Sequence, residues 1–116
     1  MQFDTPEEAE RRYSQFLSEA RATGRVWGLQ QLGGWAVYRQ DDIALVPFWS
    51  AQAGADKAAQ VSFIGYVSTE LDLGKFIDSV LPELARRGLF VGINLRADLA
   101  GIDVDASRLA ALLTAH

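Results

Sequence analysis

Apolar residues recur at three- and four-residue spacing early in the chain and then give way to short alternating runs. Ala9, Tyr13, Phe16, Leu17 and Ala20 line one side of a 3.6-residue period, which predicts a helix from Pro6 to Thr23. Thr5 is placed to cap it, Pro6 suits the first helical position, and Glu8 completes a capping box. Gly24 supplies a left-handed terminus.

Beyond Gly24 the pattern predicts three β-strands, Val26 to Gln30, Trp35 to Arg39 and Ile43 to Phe48. Gly33-Gly34 and Gln40-Asp41-Asp42 punctuate them, so an antiparallel meander is expected. Pro47 has no N–H for a ladder, which places the third strand at an edge or ends it there. Ser50 is then expected to cap a short Ala-rich helix running through Ala59, weakened by Gly54.

Phe63 to Ser68 reads as a fourth strand. Asp72 is the expected cap of a helix with Leu73, Phe76, Ile77, Val80, Leu81 and Leu84 on its apolar face; Pro82 should kink it and Gly88 close it after Arg86 and Arg87. Leu89 to Ile93 is an apolar run suited to a central strand, and Asn94 to Ala100 a loop. Gly101 to Val104 can form a last short strand, after which Asp105 caps a helix carrying Leu109, Leu112 and Leu113.

The order predicts an α+β fold over residues 1–116 as a single domain. One mixed, largely antiparallel sheet, a three-stranded meander plus two or three further strands, packs against an N-terminal, a central and a C-terminal helix. The 116 residues suffice to bury about two-thirds of the unfolded surface.

Composition narrows the chemistry. With no cysteine, disulfides, thiolate nucleophiles and Cys-based zinc sites are excluded. The acidic N-terminal stretch lacks the basic and apolar regions of a signal peptide, and no apolar run approaches the ~20 residues that span a bilayer, so a cytoplasmic location without membrane association is expected. A net charge of −4 with dispersed basic residues disfavours nucleic acid.

The single histidine is the last residue, His116, so neither a Ser-His-Asp triad nor a His-based metal site can be assembled within one chain. No cofactor or metal is expected. Asp41 and Asp42 are adjacent carboxylates but fall where a turn is expected, for which Asp is favoured. Asp103 and Asp105 share the face of a short strand, with the helix cap the stronger reading of Asp105. The glycines match neither phosphate-binding fingerprint, and no serine sits in a Gly-x-Ser-x-Gly elbow.

Trp27, Trp35 and Trp49, with Tyr38, Phe48, Phe63 and Tyr66, concentrate in the strand region. Alternation puts Trp35 and Tyr38 on opposite faces of one strand, so one of the two should face away from the helices. Exposed aromatic residues carry disproportionate energy at protein interfaces. Trp35, Phe48 and Trp49 are therefore the candidate contact residues, against the core role that most buried aromatics have.

Gly24-Arg25-Val26-Trp27-Gly28-Leu29, Gly34-Trp35-Ala36-Val37, Val46-Pro47-Phe48-Trp49-Ser50, Leu81-Pro82-Glu83-Leu84 and Gly92-Ile93-Asn94 occur in an order and spacing that resembles a family of small bacterial proteins, the domain of unknown function 2750. The resemblance runs from about Tyr13 to the last helix. In that family a proline usually follows the Asn94 position; here it is Leu95. A more distant likeness of pattern is to the N-terminal domain of type III secretion enhancer proteins. Neither resemblance implies a catalytic residue.

The expectation is thus a non-enzymatic protein-interaction module, an adaptor, regulator or immunity-type protein, whose partner is another protein. The alternative is a small-molecule-binding or carboxylate-dependent enzyme module using Asp41, Asp42 or Asp103 beside an aromatic pocket. Homo-oligomerisation through a strand edge or the first helix is a third option.

Overall fold

The first helix, α1 (Pro6–Thr23), and its left-handed stop at Gly24 (φ +71°) stand where the sequence places them. The structure, a computed structural model, describes residues 6–40, 42–95 and 102–114, with side chains for 10–39, 42–95 and 104–114. The expected cap at Thr5, the Glu8 side chain, Asp41, most of the loop after Leu95, the Asp103 side chain and His116 lie outside the described set.

The chain continues as β1 (Arg25–Gln31), β2 (Gly34–Trp35), β3 (Tyr38–Gln40), β4 (Ile43–Trp49), α2 (Gln52–Val61) and β5 (Val67–Asp72). It goes on through α3 (Leu73–Lys75), a π-helical turn Phe76–Val80, α4 (Leu81–Arg86), β6 (Phe90–Ile93), β7 (Ile102–Asp105) and α5 (Ala106–Thr114). The fold is α+β with one mixed seven-stranded sheet. Asp72 accepts the Lys75 N–H at 3.2 Å, and Asp105 accepts those of Ser107 and Arg108 at 2.8 and 3.1 Å, so both expected caps form. Pro82 has no N–H, and the wide π turn ahead of it lets the helix continue past the proline ring.

The meander differs from expectation. β1 and β4 pair antiparallel only at Trp27↔Trp49 and Gly28↔Phe48, then part. β2 replaces β4 along β1, and β3 replaces β1 along β4, so the expected single strand Trp35 to Arg39 is two strands running in opposite directions around Ala36 and Val37. Pro47 explains the fork. The Phe48 carbonyl accepts Asn94 N–H on the β6 side, so the Pro47 nitrogen faces β1. There it cannot donate to Leu29, whose carbonyl takes the Ala36 N–H at 2.9 Å instead. Contrary to the edge expected for it, β4 is central, paired in parallel with β6 over Leu45↔Phe90 to Phe48↔Ile93.

Phe63 to Ser68 is not the fourth strand. Phe63 lies buried in the turn after α2, edge-on to Tyr38 and Tyr66, and β5 starts only at Val67, pairing Gln30↔Val67 through Arg25↔Asp72. The side chains that looked like strand positions are used to plug the turn.

The helices cover both faces. Phe16 and Ala20 of α1, Phe76, Leu81 and Leu84 of the central helix, and Leu109 and Leu113 of α5 enclose Val26, Val46, Phe48, Val91 and Ile93. On the other face Ala55 and Ala58 of α2 pack with Leu29, Trp49, Phe63 and Leu95. Coverage on both sides is why β4 reads as an almost unbroken apolar run.

Candidate functional site

Of the three candidate contact residues, Phe48 is fully buried, Trp49 is 3% exposed and Trp35 is half-buried. Trp35 meets Phe48 edge-on at 5.2 Å between centroids, and Phe48 meets Phe76 at 4.8 Å, a chain of rings that fills the main core. Trp35 fits because Gly28 has no side chain: a Cβ there would stand 2.5 Å from the Trp35 ring. Phe48 therefore presents no side-chain surface to a partner in this fold, and Trp49 presents almost none.

Trp49 is nonetheless at the edge of a cleft. Its indole Nε1–H donates to the Leu95 carbonyl at 2.9 Å, and α2 lies so close that a Cβ on Gly54 would meet the indole Cδ1 at 2.7 Å. The cleft, about 210 Å³, is lined by Arg12, Gln15 and Glu19 of α1, Trp49 to Ala51 and Gly54, and Asn94 with Leu95. It opens at the carboxyl ends of β4 and β6, where two adjacent parallel strands release their chains, the general location of ligand crevices in open sheets.

Its polar groups converge from three distant segments. Ser50 was expected to cap α2; instead Ala51 holds the cap position, with no side-chain bond, and the Ser50 hydroxyl turns inward to donate to Glu19 Oε1 at 2.6 Å. Asn94 Oδ1 accepts Ser50 N–H at 2.9 Å and Asn94 Nδ2 donates to Ser50 Oγ at 3.1 Å. Gln15 Nε2 donates to Glu19 Oε2 at 3.2 Å. Ser50 is only 3% exposed with its proton committed to Glu19, a poor presentation for a nucleophile. Asp42 is exposed, in the turn ahead of β4, and Asp105 is occupied as a cap. Among the described residues no group of three or more His, Cys, Asp or Glu side chains could hold a metal ion, and no helix is long and apolar enough to cross a membrane.

A model of one protein family, described as protein of unknown function (DUF2750), matches residues 13–113. The chain belongs to that family. The match takes in α1 from Tyr13 onward, the whole sheet and α5 through Leu113, so the cleft residues Gln15, Glu19, Trp49, Ser50 and Asn94 all fall inside the family domain, with Arg12 just before it. No curated protein matches the chain.

A second feature lies at another part of the sheet. Among the described residues five large aliphatic side chains are exposed: Leu32, Val37, Val61, Ile64 and Val67. Leu32 sits in the two-residue turn between β1 and β2, where Leu32 and Gly33 both have positive φ, +53° and +80°. Gln31 Nε2 donates to the Gly65 carbonyl at 3.3 Å, and Gln30 pairs with Val67, which brings the Leu32 turn beside Ile64 and Val67. Residues 26–38 and 58–69, which supply this region, contain no Asp, Glu, Lys or Arg, in a chain that is 22% charged.

Proposed function

We propose that this protein is a non-enzymatic interaction module that docks onto another protein through the uncharged end of its sheet, with Leu32 as the projecting contact and Ile64 and Val67 beside it. The observation that carries the reading is Leu32 itself. A two-residue turn with positive φ at both positions favours Asn, Asp or Gly, and a left-handed conformation costs a residue with a Cβ roughly 1–2 kcal/mol. Leu32 incurs that cost while 102% exposed, so its side chain returns nothing to the fold by burial. Strain with no structural return is a mark of function.

The surroundings support the same reading. Interface centres are depleted in charge, as residues 26–38 and 58–69 are, and the projecting shape of Leu32 calls for a partner with an apolar recess and an uncharged rim. An adaptor, regulator or immunity-type protein would use such a surface. The earlier candidates Trp35, Phe48 and Trp49 then act as the scaffold behind it, through the core they build.

The test places a photo-crosslinking side chain at position 64 in the native host, with position 86 on α4 as control. The expected result is a discrete adduct at 64 that Leu32→Asn abolishes and that position 86 does not give. Equal adducts at both positions, or none at 64, would sink the proposal. An adduct at twice the chain's own mass would replace the separate partner with a second copy.

A further inference from the structure

We infer that the open edge of β5 accepts an extended strand from the partner protein, laid antiparallel along Ser68 to Asp72 and carrying basic side chains on the face it shares with Glu70. This deepens the docking reading and rests on it, because β5 begins at Val67 and the added strand runs on from the Leu32 surface.

The backbone supplies the first argument. β5 pairs with β1 from Gln30↔Val67 to Arg25↔Asp72 in one unbroken register, which the Leu73 N–H continues by donating to the Gly24 carbonyl at 2.8 Å. Hydrogen-bonded and non-bonded positions alternate along an antiparallel ladder. With Gly24 and Leu73 bonded, Val26↔Leu71, Gly28↔Thr69 and Gln30↔Val67 are the other bonded pairs. Ser68 and Glu70 therefore turn both N–H and C=O away from β1, and Asp72 turns its N–H the same way. The Leu29 carbonyl, opposite Ser68, confirms this phase from the other strand, since it faces away from β5 to take the Ala36 N–H. Among the described residues β5 pairs with β1 alone, so these groups form a row of donors and acceptors spaced for one more strand.

The edge also lacks the devices that usually close one. β2 and β3 are two and three residues long, whereas β5 runs for six with no bulge, proline or lysine. Its two acids are engaged within the chain, Glu70 with Arg25 at 3.1 Å and Asp72 with the Lys75 N–H at 3.2 Å.

Charge selects the occupant. Arg25 belongs to β1, on the far side of β5 from the open edge, and Asp72 is bonded to a neutral amide, so an incoming strand meets two carboxylates. A second copy would meet its own acids. The two symmetric registers that overlap β5 most fully, with outward groups facing, set Glu70 directly opposite Glu70 or place the pair diagonally across the axis. Lysine or arginine opposite Glu70 and Asp72 makes the same positions attractive. On the other face Val67 is 65% exposed and Leu71 follows it, so the expected segment alternates basic with apolar residues.

The experiment titrates ¹⁵N-labelled protein with a capped peptide of three Val-Lys repeats and follows amide hydrogen exchange along β5. Three Val-Glu repeats are the charge control. Two further Val-Lys peptides are N-methylated, one at the lysine nitrogens, which face β5 in this register, the other at the valine nitrogens, which face solvent. Saturable binding of the Val-Lys peptide is expected, with exchange slowed at Ser68, Glu70 and Asp72 and little changed at Thr69 and Leu71, which β1 already holds. The Val-Glu and lysine-methylated peptides should bind about tenfold more weakly or worse, and the valine-methylated peptide like the parent. Glu70→Pro removes an outward N–H and no bond to β1, so it should fold and lose the peptide. The methylated pair decides the matter even if that variant does not fold. Equal binding of the Val-Glu peptide overturns the basic partner, as does a dimer of the free protein that Glu70→Pro dissolves. Equal binding of both methylated peptides, or no saturable binding, overturns strand addition. A crosslinked adduct at position 64 that persists in Glu70→Pro also overturns it while leaving the Leu32 surface standing, whereas a missing adduct beside intact peptide binding is a failure of the Leu32 surface alone.

Discussion

Asn94 holds Ser50 from two directions, accepting its backbone N–H at 2.9 Å and donating to its hydroxyl at 3.1 Å. Asn94 itself has φ +46°, a left-handed conformation that Asn tolerates better than most residues, so one side chain both turns the chain after β6 and clasps the exit of β4. Glu19 extends the clasp to α1.

Removing either partner leaves buried polar atoms behind. Ser50→Ala should cost about 1–3 kcal/mol and Asn94→Ala about as much or more, because the left-handed turn then carries a less suitable residue. The double variant should cost less than the two single effects added, with a coupling of about 0.5–3 kcal/mol, read from urea denaturation midpoints.

Gly54→Ala opposes two effects. Alanine is the better helix former by about 1 kcal/mol, yet its Cβ would meet Trp49 at 2.7 Å, and that indole is held by the Leu95 carbonyl. Overpacking of this kind costs about 1–3 kcal/mol, so net destabilisation is expected, and a lower thermal midpoint checks it.

Leu32→Asn should raise stability by about 1 kcal/mol, as the turn gains a residue suited to positive φ and loses an exposed aliphatic chain. Leu32→Ala retains the strain and should leave stability nearly unchanged. Both should weaken partner capture. A pair of variants that differ in thermal midpoint but agree in lost binding separates contact from folding.

Tyr13 titrates in a half-buried position against the main core, where burial pushes its phenol above 10 and the nearby Arg108 pulls back only in part. A raised folded-state pKa favours the neutral form, so the stability linked to it is fully present below about pH 10 and is lost as pH rises through the folded value. Tyr13→Phe should flatten the fall in thermal midpoint above about pH 10.

Much of the fold was legible because its signals are local. The period of α1, the caps at Asp72 and Asp105, and the central apolar strand at Phe90 to Ile93 each depend on a few neighbouring residues. The fork was not, since a run such as Trp35 to Arg39 alternates equally well whether it is one strand or two. Val67 to Asp72 was missed because an edge strand bearing Glu70 and Asp72 looks less like a strand than the aromatic turn before it. The cleft has no sequence signature at all: Ser50 lies 31 residues from Glu19 and 44 from Asn94. The uncharged windows and the Leu-Gly turn were open to view, but only pairing of β1 with β5 shows that they meet.

The fork at Pro47 also decides how the molecule yields. Among the described residues only two residue pairs of backbone ladder join the wing of β5, β1 and β2 to the wing of β3, β4, β6 and β7. Where that ladder stops, Trp35 of the first wing packs edge-on against Phe48 of the second, and Phe48 against Phe76, so ring contacts join the wings beside the two ladder pairs. The aromatic residues that attract the eye in the sequence are, in mechanical terms, the hinge pin between two leaves.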